Sequence, residues 1–143
     1  MAAVKRFTKQ EIALEQLETA LRLYEAGGEF FSVITLSGAA EEIYRRLLQE
    51  RGGTGALEAL AKGAAALHRH ETGVSLPLDG FYEFGNWVKN ASKHHSRGEA
   101  TIICDAEEWA ADYLQRAITN YFALTGDASP TMLKFEQGRR NRP

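Results

Sequence analysis

The sequence predicts an all-α fold, an antiparallel bundle of four or five helices. Three observations predict it. Apolar residues recur at spacings of three and four along most of the chain, cap and stop signals bracket these stretches, and no convincing strand pattern interrupts them. With 143 residues and 44% hydrophobic content, the chain can bury one core and is too short to suggest two.

Thr8 and Glu11 have the spacing of a capping box, with Phe7 and Ile12 placed as a hydrophobic staple. A first helix therefore starts at Thr8, runs along Leu14, Leu17, Leu21 and Tyr24, and stops at Gly27-Gly28. A second helix is expected from about Glu29 to Arg51. It carries two adjacent stripes, Val33, Leu36, Ala40, Ile43 and Leu47 beside Ile34, Ser37, Glu41, Tyr44 and Leu48. So wide an apolar arc places it near the centre of the fold. Glu41 interrupts the second stripe, and a carboxylate there needs a partner such as Arg45, Tyr44 or a cation from another helix. The small run Ser37-Gly38-Ala39-Ala40 lets another helix come close.

The third helix, Ala-rich, is expected from about Thr54 to His68 with Leu57, Leu60, Ala61, Ala64 and Leu67 inward; Gly63 makes it the weakest. Glu71 to Leu78 reads as a loop because Gly73 and Pro77 oppose regular structure. Asp79 then caps a fourth helix that buries Phe81, Phe84, Val88 and Ala91, with Trp87 alongside; if the helix persists to His95, that residue faces the core or a partner chain while His94 stays on the polar face. Gly98 ends this unit, and Thr101 to Cys104 forms a short extended connection. Asp105 and Glu108 start a last helix whose apolar surface, from Ala106 through Trp109, Tyr113 and Ile118 to Phe122, is broad enough for contacts on both sides. Gly126 closes it. The expected organisation is one helical domain over residues 1–126, followed by a basic, loosely held tail over 127–143.

The formal charge of −2 carries no global signal for nucleic acid, so any such binding has to come from a local patch. Lys89 to Arg97 supplies three cations and two histidines without an acid, and the tail supplies Lys134, Arg139, Arg140 and Arg142. The single Cys104 rules out an internal disulfide and fits a reducing cytoplasm; no apolar run suggests a membrane span or signal peptide. Cys104, His68, His70, His94 and His95 show no metal-ligand spacing, and there is no phosphate-binding loop, dinucleotide fingerprint or nucleophile elbow. Neither a metal nor a cofactor is expected.

The segment Asn86 to His95 holds the candidate site. On a helix it gathers Asn86, Lys89, Asn90, Lys93 and His94 on one face, so Asn90 and His94 can act together beside two positive charges, an arrangement suited to phosphate. The same residues also suit an ordinary amphipathic helix with a basic last turn. A polar cleft with Glu41 and Lys89, binding a small molecule or nucleotide, is a further reading.

The small-residue and acidic run Ser37-Gly38-Ala39-Ala40-Glu41-Glu42, followed by Lys89-Asn90-Ala91-Ser92-Lys93-His94, resembles the HEPN superfamily of small bacterial and archaeal helical domains. The resemblance extends from the first helix to Gly126. The family motif is an Arg, usually followed by a polar residue such as Asn, and then a His after four to six intervening positions. Asn90 and His94 match it, whereas Lys89 stands where Arg is expected. The resemblance implies a homodimer acting on RNA as a metal-independent ribonuclease, with Lys89, Asn90 and His94 catalytic and Glu41, Asn86, Lys93, His95 and Arg97 contacting substrate. In such a site the His moves a proton and the cation steadies the phosphate. Lys lacks the two-pronged guanidinium grip, which suggests a degraded, RNA-binding relative as well. The resemblance also suggests a toxin paired with a nucleotidyltransferase antitoxin. A non-catalytic protein-interaction module is the reading from a different class.

Overall fold

The computed structural model describes residues 2–95 and 100–142 and contains six helices among them. They are α1 (Lys9–Ala26), α2 (Phe30–Glu50), α3 (Ala56–Thr72), α4 (Asp79–Lys93), α5 (Ala106–Thr125) and α6 (Pro130–Arg140). No strand occurs among the described residues, and the all-α bundle expected from the periodicity is the fold observed.

Local chemistry sets most helix ends. Thr8 and Glu11 form the reciprocal capping box, with Glu11 N–H donating to Thr8 Oγ1 at 3.0 Å and Thr8 N–H to Glu11 Oε2 at 2.7 Å. Asp105 caps α5 by accepting the Glu108 N–H at 3.0 Å, and Gly126 closes that helix in the left-handed region at φ 71°. Between α1 and α2 the chain reverses through Gly27 (φ 77°), Gly28 (φ 137°) and Glu29 (φ 52°), a run that two glycines make accessible.

Helix α2 is the centre. It packs chiefly against α1 and α5 and also against α4, and both of its sequence stripes contribute fully buried residues, Val33 and Ala40 from one, Ile34, Ser37 and Tyr44 from the other. Leu17 and Ala20 of α1, Val88 of α4 and Tyr113, Leu114 and Ala117 of α5 complete this core. Helix α3 lies to one side against α4 and α5.

Three expectations change. The tail is not loose: Ser129 caps α6, Pro130 fits its first turn, and Met132 and Phe135 are buried. Phe135 meets the Tyr24 ring edge-on at 5.5 Å, and Thr131 Oγ1 donates to Glu18 Oε2 at 2.6 Å, so apolar and polar contacts both fasten α6 to α1. Helix α3 is shifted toward the C-terminus and uses only Leu57 and Ala61 as buried residues, leaving Leu60 and Leu67 exposed because only part of one face reaches α4 and α5.

Helix α4 departs most. Leu78, not Asp79, stands at its N-cap, and its buried residues are Gly85, Val88 and Lys89. Val88 is buried as expected, but Phe84 is 67% exposed and Phe81 and Ala91 only half-buried, so the inward face is rotated toward Gly85 and Lys89. Gly85 explains the rotation: a Cβ built there would lie 2.8 Å from Leu57 Cδ1, so the absent side chain lets α4 and α3 meet backbone to side chain. Helix α4 also ends at Lys93, and His94 has extended backbone (φ −123°, ψ 139°), so the helical stripe does not continue to an inward His95.

Candidate functional site

Lys89 sits in the seam between α2 and α4. Its methylenes cross Gly38, where a built Cβ would come 2.5 Å from Lys89 Cδ and 2.8 Å from Cγ, and the residue is only 4% exposed. Its ammonium points at carboxylates, with Nζ 3.9 Å from Glu42 Oε2, and Glu42 also accepts from Arg46 Nη2 at 3.1 Å. Burial pushes the Lys89 ammonium below its ordinary range, against the opposing pull of Glu41 and Glu42. Glu42 is driven upward by its own partial burial, but the Arg46 hydrogen bond and the Lys89 charge outweigh this and hold its carboxyl below the usual range.

Glu41 is fully inside and has the Arg45 partner that its place in the stripe demanded, at 3.5 Å from Nε to Oε1. Asn120 of α5 reaches the same region, its Nδ2 3.3 Å from the Glu41 carbonyl and 3.4 Å from Oε1, while its Oδ1 accepts the Ala56 N–H at 2.7 Å. One amide side chain thus caps the start of α3 and holds it to α2 and α5. Tyr113 makes a comparable link: its hydroxyl donates to the Gly85 carbonyl at 2.9 Å and accepts the Lys89 N–H at 3.1 Å. Arg116 Nη2 donates to that same carbonyl at 2.7 Å, so α5 grips the one turn of α4 that carries Lys89. Burial raises the Tyr113 hydroxyl above its usual range, which keeps it in the protonated, donating form.

The remaining candidates lie elsewhere. Asn90 is exposed, and His94, outside the helix, meets it only through its backbone N–H to the Asn90 carbonyl at 3.1 Å. Lys93, His94 and His95 are exposed around a shallow hollow shared with Ser92, Thr101 and Ile102. Asn86 donates to the Tyr82 carbonyl at 3.0 Å and lines a separate groove with Arg45, Gln49 and Glu58. Arg97, and Gly98 as the expected end of the α4 unit, lie outside the described residues. The structure therefore brings Glu41 and Lys89 to one buried seam and Lys93, His94 and His95 to one surface hollow, and it sets Asn86 apart from both. Lys89 on a solvent-facing polar surface, as helical spacing suggested, is corrected to a buried residue because its aliphatic stem fills the space that Gly38 leaves. Among the described residues no group of three or more His, Cys, Asp and Glu side chains is placed to hold a metal ion.

Sequence reasoning missed an aromatic cluster on the outer side of α4 and α5. The Phe84 and Trp109 ring centroids are 5.4 Å apart and those of Trp87 and Trp109 6.2 Å apart, both edge to face. The signal was present in α4, where Phe81, Phe84, Trp87 and Val88 are more apolar side chains than one narrow buried stripe holds. Arg116 and Asn120 were missed because they interrupt the apolar surface of α5 as single polar residues.

The fold and these sites define an all-helical bundle with a carboxylate-paired lysine inside and an aromatic cluster outside. Comparisons with family models, curated proteins and solved structures give no match. No helix among the described residues is long and apolar enough to cross a membrane.

Proposed function

We propose that this chain is a non-catalytic protein-interaction module. The observation that carries the reading is the burial of Lys89: its stem fills the α2–α4 seam over Gly38 and its ammonium faces Glu42, so its charge is not presented to a phosphate. Phe84 and Trp87, exposed and packed edge-on against the half-buried Trp109, support the same reading, since contiguous exposed aromatics are a mark of contact surfaces. The test is incubation of the purified protein and its His94→Ala variant with single-stranded and hairpin RNA in chelator. The module predicts no cleavage by either protein. Cleavage by the wild type that disappears in His94→Ala overturns it.

A second reading, an RNA-binding or RNA-cleaving relative of HEPN domains acting as a dimer, draws on one specific observation: Lys93, His94 and His95 stand exposed around a single hollow. On this reading His94 acts without Lys89, and His94-dependent cleavage survives Lys89→Met.

A further inference from the structure

A groove runs between α3, α4 and α5 over the aromatic cluster. Leu57 and Gly85 lie in its lining, and Leu60 and Phe84, 60% and 67% exposed, stand open beside Trp109. Its charged lining residues, Asp105, Glu108 and Asp112, are all acidic. Asp112 is offset by Arg116 at 3.2 Å, and Glu108 is shared with Arg139 and Arg142 at 3.6 and 3.7 Å. Asp105 has no ion pair among the described residues and uses one oxygen to cap α5. Neither Arg139 nor Arg142 lines the groove, so an occupant meets apolar rings edged by carboxylates.

We propose that this groove docks a basic amphipathic segment of another protein, its apolar side chains on Phe84, Trp109 and Leu60 and a Lys or Arg on Asp105, the lining carboxylate without an ion pair among the described residues. The proposal rests on the interaction-module reading and adds the chemistry of the partner. Charge selects this occupant from the others that aromatic surfaces accept. A nucleic acid suits stacked rings, but the carboxylate edge repels its phosphates. A second copy seated by a two-fold axis centred on this groove brings the two acidic edges together. A small quaternary ammonium ion needs space between rings, whereas these rings touch one another at 5.4 and 6.2 Å. An amphipathic helix laid in a groove matches both the apolar floor and the acidic edge.

Both tryptophans of the chain, Trp87 and Trp109, belong to this cluster, so intrinsic fluorescence of the full chain reports occupancy directly. The probe is a synthetic peptide of Leu and Lys in helical spacing, compared with one carrying Glu for Lys and one carrying Ser for Leu. The Leu/Lys peptide is expected to shift the emission saturably with a Kd of roughly micromolar order, and each altered peptide to bind at least about tenfold more weakly. Phe84→Ser abolishes the shift with the thermal melt unchanged, and Asp105→Asn, which keeps the cap of α5, weakens binding by about tenfold. Equal binding of the basic and acidic peptides, absence of binding, stronger binding of a single-stranded RNA oligonucleotide, or a dimer in sedimentation that Phe84→Ser dissolves each overturns the proposal. Failure of the peptide alone sinks this partner and spares the module reading, which is sunk by His94-dependent RNA cleavage.

Discussion

The side chain of Lys89 lies across the backbone of Gly38, so closely that a methyl group on Gly38 would come 2.5 Å from its Cδ. The two residues come from different helices and each accounts for the other: the missing side chain of α2 makes the channel in which the lysine stem of α4 runs. Lys89 is thereby turned from a candidate phosphate ligand into part of the helix packing.

Gly38→Ala tests this directly. Alanine favours a helix over glycine by roughly 1 kcal/mol, but overpacking a close contact costs about 1–3 kcal/mol, and the atoms in the way are the middle of the lysine chain and not its mobile end. A net loss of stability in urea denaturation is expected. Adding Lys89→Ala to Gly38→Ala should cost less than the sum of the single losses, because the methyl then occupies space the lysine has vacated.

Protonation of the seam gives a second prediction. Lys89 has a depressed folded-state value, so between that value and the ordinary lysine value the unfolded chain binds more protons and stability rises with pH. Lys89→Met removes that alkaline rise. At neutral pH it is expected to be as stable as the wild type or more stable by about 1–4 kcal/mol, since Glu42 keeps Arg46 and the apolar stem still covers Gly38. Glu42, depressed as well, has the opposite window: its contribution is whole above the unfolded carboxylate range and is lost as pH falls through its folded value. Denaturation midpoints measured across pH for wild type, Lys89→Met and Glu42→Gln separate the two effects.

Asn120 joins three helices through a carbonyl and an amide, and Gly55 at the N-cap of α3 offers no side-chain cap of its own. Asn120→Ala is expected to cost about 1–3 kcal/mol, from the unsatisfied Ala56 N–H and the loss of packing. Hydrogen exchange locates the damage: α3 amides should exchange faster, whereas α1 amides keep their protection apart from the global loss.

Removal of residues 127–143 uncovers the α1 face against which Met132 and Phe135 are packed. Thermal melting of the shortened chain should show marked destabilisation. Met132→Ala in the full chain should reproduce a loss of about 2–5 kcal/mol, the range for a fully buried large-to-small change. An unaltered melt in both would return this segment to the status of a loose tail.

The sequence by itself determined the helical class, the capping box at Thr8, the start of α5 at Asp105, its stop at Gly126, and the double stripe of α2 with Glu41 in need of a partner, Arg45 among those it offered. These features are local: caps join residues three apart, and Glu41 and Arg45 are one turn apart on a single helix. Tertiary structure alone decided which side of α4 faces inward. Hydropathy gives weight to Phe84 and Trp87 and none to Gly85; the small run at Gly38 announces a close helix approach, but not that a lysine stem fills it. Once Gly85 faces Leu57, and Gly38 leaves room for the lysine stem, Lys89 goes in and Phe84 goes out. The same logic hid α6, whose short sequence carries few apolar residues and becomes a packed helix through the α1 surface that Met132 and Phe135 cover.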